Sequence, residues 1–154
     1  MIKAWRISKA KHKKTAFTGT GTQFASGRWH HLNVPVVYGA DSLALAALEQ
    51  FVHVTNEAIH IRYVSFELDI PPSLIIRVED IASMPPRWRK QPPGQKTMAI
   101  GSNWVKSGQS AVFSVPSAII LTERVFVLNP NHPDFRKINI GSAEKFSFDS
   151  RIWK

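Results

Sequence analysis

Three side chains in one short stretch of this chain could do chemistry. Arg28 in Gly27-Arg28-Trp29, Tyr38 in Val36-Val37-Tyr38 and Glu49 in an alanine- and leucine-rich run place a guanidinium, a phenol and a carboxylate within 22 residues of largely apolar sequence. A guanidinium grips anions through paired N–H donors, a phenol offers a ring face with a polar tip, and a carboxylate stabilises positive charge. None of the three is needed to pack a half-buried strand or helix, and buried charge is costly unless it is paired or used. Together they read as a site.

Each residue alone also has an ordinary reading. Arg28 could be a surface charge whose stem lies beside Trp29, Tyr38 a strand residue with a satisfied hydroxyl, and Glu49 a helix-surface residue paired with a lysine. Ser117, after Val115-Pro116, could simply cap a following element at Ala118 to Leu121. The stronger local motifs are missing: there is no glycine-rich loop ending in Lys-Ser/Thr, no dinucleotide fingerprint and no His-Glu-x-x-His. Gly19-Thr20-Gly21 reads as a flexible turn. The six histidines, including His30-His31, His53 and His60, lack the spacing with a carboxylate that a metal site needs, so no metal is expected.

Bulk properties bound the rest. A chain of 154 residues fits one domain able to bury roughly two-thirds of its unfolded surface. With 44% hydrophobic and 20% charged residues it is neither disordered nor fibrous. No apolar run approaches the roughly 18 residues of a membrane span, and Met1 to Arg6 has no signal-like apolar core. Zero cysteines exclude disulfides and thiolate ligands and fit a reducing compartment; the expectation is a cytoplasmic protein. The net charge of +9, clustered at Lys9, Lys11, Lys13 and Lys14 and at Arg87, Arg89, Lys90 and Lys96, favours anionic partners. A basic nucleic-acid-binding module is one alternative, but neither cluster is interleaved with the aromatics of a base-stacking surface.

Several elements must position these groups. Ile2 to Ile7 reads as a first strand in a basic, irregular segment reaching residue 33. Val34 to Tyr38 reads as a short strand whose Pro35 marks its start or a sheet edge. Asp41 or Ser42 can cap a helix running to about Val54. On that helix Leu45, Leu48, Phe51 and Val52 form the apolar face, and Glu49 falls about 40° outside its edge. Ile61 to Ile70, Leu74 to Val78, Ala111 to Val115, Arg124 to Leu128 and Lys145 to Phe148 read as strands, while Met84-Pro85-Pro86 through Pro92-Pro93-Gly94 is a long loop. The expected class is α+β, a single domain of short strands with one or two helices.

Taken in order, these residues resemble the RES-domain family, named for its Arg, Glu and Ser. The matching pieces are Ser26-Gly27-Arg28-Trp29, Val36-Val37-Tyr38, Ser42 to Glu49, His53, Val115-Pro116-Ser117-Ala118, Leu128-Asn129-Pro130-x-His132-Pro133-Asp134 and Phe148-Asp149-x-Arg151. The resemblance covers essentially residues 1–154. Ser26 stands where a second glycine is usual and His30 where asparagine is typical, which bears on the shape of the Arg28 loop.

The resemblance implies an ADP-ribosyltransferase-like fold and the toxin of a two-gene toxin–antitoxin system, acting on NAD⁺ as substrate with no bound cofactor. Its implied partner is an antitoxin with a helix-turn-helix DNA-binding domain, in a complex expected to hold a toxin homodimer; no membrane and no direct nucleic acid are implied. Carried over by motif, Arg28, Tyr38, Glu49 and Ser117 are the functional positions, with Arg6 a weaker candidate for NAD⁺ binding. Cleaving the nicotinamide–ribose bond builds an oxocarbenium ion that one carboxylate, Glu49, can stabilise. Arg28 can hold phosphate oxygens, Tyr38 can face the nicotinamide ring, and Ser117 can hydrogen-bond the ribose or the amide. The acceptor stays open: water, phosphate or a protein side chain.

Overall fold

The computed structural model describes residues 1–54 and 60–152. Eight strands form one sheet: β1 (Ile2–Lys9), β2 (Val37–Ala40), β3 (Tyr63–Ile70), β4 (Ile75–Arg77), β5 (Val112–Pro116), β6 (Arg124–Leu128), β7 (Asn139–Ile140) and β8 (Glu144–Phe146). Among the described residues two α-helices, α1 (Leu43–Phe51) and α2 (Gln95–Ser107), join them. The spatial order is β4-β5-β6-β2-β1-β3-β7, and β8 pairs with β3 beside β7. All pairings are antiparallel except β4 with β5, whose connection carries α2, as a parallel crossover requires. The α+β class expected from the sequence is the class observed.

Alternation along the strands sends side chains to two cores. Val64, Phe66, Leu68 and Ile70 of β3 join Val112, Phe126 and Leu128 on one face, covered by Ala16, Phe17, Phe135 and Ile138. Phe113, Val115, Val125 and Val127 point the other way, against Leu45 and Ala46 of α1, Trp104 of α2 and Trp29. Trp104 stacks on Phe113 with centroids 5.0 Å apart and sends its indole N–H to Ser110 Oγ at 2.9 Å.

One join in the sheet is weak. β1 pairs with β3 along all eight residues, whereas it meets β2 at the single register Trp5 opposite Ala40. Beyond that point the two strands diverge and leave a cleft. Pro35 has no N–H to give a ladder, so β2 starts only at Val37 rather than at Val34.

Helix α1 departs from expectation in a way that concerns the site. It begins as predicted, with Ser42 Oγ accepting from the Leu45 N–H at 3.0 Å, but ends at Phe51 rather than near Val54. Its inward residues are Leu45 and Ala46, while Leu48 and Val52 are 39% and 57% exposed. The apolar face drawn through Leu48 and Val52 is therefore wrong. The helix is turned so that Ala46 approaches the sheet, and Glu49, four residues from Leu45 and three from Ala46, shares the inward face.

Helix α2 has no counterpart in the sequence reading. Its N-cap is Gly94 without a side-chain cap, and its buried residues are Thr97, Met98, Gly101, Ser102 and Trp104. That is helical spacing written mostly in small and polar residues, which an apolar periodicity does not reveal. Gly101 is required by contact: a Cβ there would lie 1.8 Å from the Trp29 carbonyl oxygen. Ala118 to Leu121 forms bends and the start of a turn instead of a regular element.

Candidate functional site

A tight turn presents the first residue. Gly27 and His30 pair across it, with the Gly27 N–H donating to His30 O at 3.1 Å, so Arg28 and Trp29 sit at the tip. Trp29 is buried edge-on to Phe113 with centroids 6.3 Å apart and is flanked by Trp88, which pins the tip to the core. Arg28 points to the 84–94 loop: its Nη1 donates to Trp88 O and Lys90 O, both at 2.8 Å, and its Nη2 to Gln91 Oε1 at 2.9 Å. Three of its five N–H donors are thus occupied by protein, leaving two for a ligand. Burial lowers the Arg28 pKa, opposed by the nearby Glu49 charge and by Tyr38, while Arg89 lowers it further.

Tyr38 stands on β2 at the edge of the cleft. Its hydroxyl lies 2.7 Å from His30 Nδ1 and accepts from the Trp29 N–H at 3.3 Å. Burial raises the phenol well above its ordinary range, so it is neutral at physiological pH.

Glu49 and Ser117 come together directly. Ser117 Oγ–H donates to Glu49 Oε1 at 2.8 Å, while the same oxygen accepts from the N–H groups of Ile119 and Ile120, each at 3.0 Å. Ser117 is fully buried. Its proton and both lone pairs are spoken for, so its hydroxyl holds the carboxylate and the following turn and has nothing left for a ribose or an amide. Ser117 caps the following turn, as its ordinary reading expected, and its proton goes to Glu49 instead of being free for a ribose or an amide.

Arg6 sits on β1 where the sheet opens. Its Nε donates to Ala16 O at 2.8 Å and its Nη1 to Tyr38 O at 2.9 Å, and the guanidinium stands 5.8 Å from the Phe17 ring centre. It forms no ion pair among the described residues, and burial draws its pKa down to about 10. A cleft of about 160 Å³ opens beside it, lined by Gly19, Thr20, Thr22, His30, Tyr38 and neighbours. The glycine-rich stretch read as a flexible turn is one wall of this cleft.

The Glu49 charge reaches Arg28 and Tyr38, Ser117 touches Glu49 and Arg6 touches the Tyr38 backbone, but of these five only Arg6 and Tyr38 line the cleft. Three further participants escaped the sequence reading. His30 was seen only as a histidine lacking metal-site spacing and as a departure from a motif, Gln91 only as part of a long loop, and Arg89 only as one charge in a cluster. Arg89 in fact clamps Ala118 O with Nε at 3.0 Å and Nη2 at 2.9 Å, beside Ser117. The remaining cations of the cluster, Arg87 and Lys90 in the loop and Lys96 in the first turn of α2, are exposed and give the rim a positive field.

Comparison with known proteins bears on family and fold. The RES domain family matches residues 3–149. Toxin Res of Photorhabdus laumondii is 38% identical over 151 residues, covering 97% of this chain and 96% of that protein. The Prs ADP-ribosylating toxin of Sphingobium sp. is 31% identical over 152 residues, covering 96% and 94%. In three dimensions the chain is similar to a chain in the M. tuberculosis MbcT–MbcA toxin–antitoxin complex, with a TM-score of 0.66 at 13% identity over 98% of this chain and 86% of that one. The two chains thus share one α+β fold. No helix among the described residues is long and apolar enough to cross a membrane. With a family match along nearly its whole length, the chain belongs to the RES-domain family.

Proposed function

We propose that this protein is the toxin of a toxin–antitoxin pair and that it consumes NAD⁺ by breaking the nicotinamide–ribose bond. The observation that carries this reading is the inward-facing Glu49, fixed by the Ser117 hydroxyl at 2.8 Å within the charge neighbourhood of Arg28 and Tyr38. A lone carboxylate suits this reaction. When the C1′–N bond breaks, its electron pair leaves with the nicotinamide nitrogen and neutralises that ring, so no strong general acid is needed. The positive charge passes to the ribose as an oxocarbenium ion. Glu49 faces that charge, and Ser117 acts as the residue that aims Glu49.

The other groups bind. Arg28 keeps two N–H donors for a pyrophosphate oxygen, Arg6 supplies a cation at the cleft between β1 and β2, and Tyr38 presents its ring to the nicotinamide. NAD⁺ is substrate here, and no resident cofactor or metal is required. Water as acceptor gives ADP-ribose and a proton; phosphate gives an ADP-ribose phosphate ester. Transfer to a protein side chain is the second reading, favoured by the relative named as an ADP-ribosylating toxin.

The proposed setting is the bacterial cytoplasm, with an antitoxin carrying a helix-turn-helix DNA-binding domain and a toxin homodimer within the complex. An acidic antitoxin segment suits a chain of net charge +9 with a basic rim. Incubating the protein with NAD⁺, with and without phosphate and with candidate acceptor proteins, tests the reading. Nicotinamide release with free ADP-ribose or its phosphate is expected. ADP-ribose found on protein selects the transferase, and no nicotinamide release, with nucleic-acid binding that falls steeply with salt, selects the basic binding module instead.

A further inference from the structure

The proposed mechanism leaves unused a buried titratable side chain that touches Tyr38, the imidazole of His30. His30 is 5% exposed, has its ring centre 5.5 Å from that of Tyr38, and lines the same cleft. Its two nitrogens face different chemistry. Nε2 lies 3.1 Å from Ala25 O, a carbonyl oxygen that can only accept, so Nε2 carries the proton. A neutral ring then has its lone pair on Nδ1, 2.7 Å from the Tyr38 hydroxyl. Tyr38 must therefore donate its proton to His30 while accepting from the Trp29 N–H. Both directions are forced by partners that cannot reverse.

The ring has no other place to go. A Cβ on Gly27 would come within 2.6 Å of His30 Cε1, 2.9 Å of Nδ1 and 3.0 Å of the Tyr38 oxygen. Packing on this side is complete only with glycine there. The charged and titratable groups around the imidazole are Tyr38 on β2, Arg6 on β1 across the cleft, and Arg28 and His31 on its own turn. Any charge these carry, apart from an ionised phenol, is positive, and the one carboxylate whose charge reaches Tyr38 and Arg28 is Glu49 on α1.

We propose that His30 is a positioning residue for Tyr38 and gives the reaction an acid limb. Neutral, it locks the phenol by taking its hydrogen bond. Protonated, it offers N–H from both nitrogens, so the Tyr38 proton loses its acceptor and must turn elsewhere. An imidazolium beside the ring also repels the cationic nicotinamide that, on the function proposed above, Tyr38 faces. Burial, opposed by the Ala25 carbonyl and helped by His31, lowers the His30 pKa from its ordinary 6.5. The neutral, working form therefore persists above that range and is lost as pH falls through the lowered value.

Two measurements test this. Two-bond ¹⁵N–¹H spectra of histidine-labelled wild-type protein should show His30 as the Nε2–H tautomer, titrating below 6.5. An Nδ1–H tautomer, or a midpoint at or above 6.5, overturns the proposal whether or not NAD⁺ is consumed. The second is the pH profile of NAD⁺ consumption by wild type and His30→Asn, in which an amide oxygen offers an acceptor that does not titrate. Wild-type kcat/KM should fall about tenfold per pH unit below the His30 midpoint, and His30→Asn should hold its own maximum across that range. An unchanged acid limb in His30→Asn overturns the role of His30. Absence of turnover in both proteins instead counts against the proposed function and leaves the tautomer measurement standing.

Discussion

Ser117→Ala separates holding a carboxylate from holding a substrate. The substitution removes one hydroxyl and three hydrogen bonds: the 2.8 Å donation to Glu49 and the two 3.0 Å acceptances from Ile119 and Ile120. A hydrogen bond to a charged group contributes about 1.5–3 kcal/mol. If that energy serves to aim Glu49 at the developing cation, kcat falls roughly ten- to a hundredfold, since about 1.4 kcal/mol is tenfold in rate. KM should stay within about twofold, because the proton and both lone pairs of the hydroxyl are engaged by protein groups. The two amides lie in a partly exposed turn that water can reach, so the stability cost is about 1–2 kcal/mol, read as a Tm lower by roughly 2–8 °C. Steady-state kinetics of nicotinamide release beside a thermal melt measure both. A folded Ser117→Ala protein with parental kcat, or one whose loss lies in KM alone, would refute the positioning argument.

Other variants probe different links. Arg28→Lys keeps charge but replaces a fork that spans Trp88 O, Lys90 O and Gln91 Oε1. NAD⁺ binding should weaken by about 1.5–3 kcal/mol, seen mainly in KM, with faster amide exchange across residues 88–91. Gly101→Ala forces a methyl into the Trp29 backbone. Overpacking of this kind costs about 1–3 kcal/mol, and because Trp29 lies between Arg28 and His30, activity should drop together with Tm. An unchanged melt for Gly101→Ala would show that α2 and the Arg28 turn are not in fixed contact.

Much of this site was legible because its residues are chemically out of place. A guanidinium, a phenol and a carboxylate in apolar sequence called for a reason, and the ordered motifs supplied the family. Strand β6 was read to the residue, Arg124 to Leu128, and β1 extended only two residues beyond its expected end at Ile7. What failed was orientation. Hydrophobic count turned α1 toward Leu48 and Val52, whereas the sheet takes small Ala46 and leaves Glu49 inward. Helix α2 was invisible because, beside Met98 and Trp104, its buried stripe is Thr97, Gly101 and Ser102, residues suited to close approach and hydrogen bonding rather than apolar area. Ser102 accepts from the His31 N–H at 3.1 Å and pairs with His31 Nδ1 at 2.7 Å. Such contacts depend on tertiary proximity across 71 positions, which no local pattern records.

Glu49→Gln tests the central claim most directly. Glutamine keeps the side-chain shape and can still accept from Ser117, so the fold and the 2.8 Å contact are preserved while the negative charge is removed. At about 4 Å and an effective dielectric near 20 that charge is worth roughly 4 kcal/mol to an oxocarbenium ion, or about a thousandfold in rate. Measured as nicotinamide release from NAD⁺ at saturating substrate, kcat of Glu49→Gln should fall by about that factor, with KM within a few-fold of wild type. A folded Glu49→Gln protein that consumes NAD⁺ at the parental rate would contradict it.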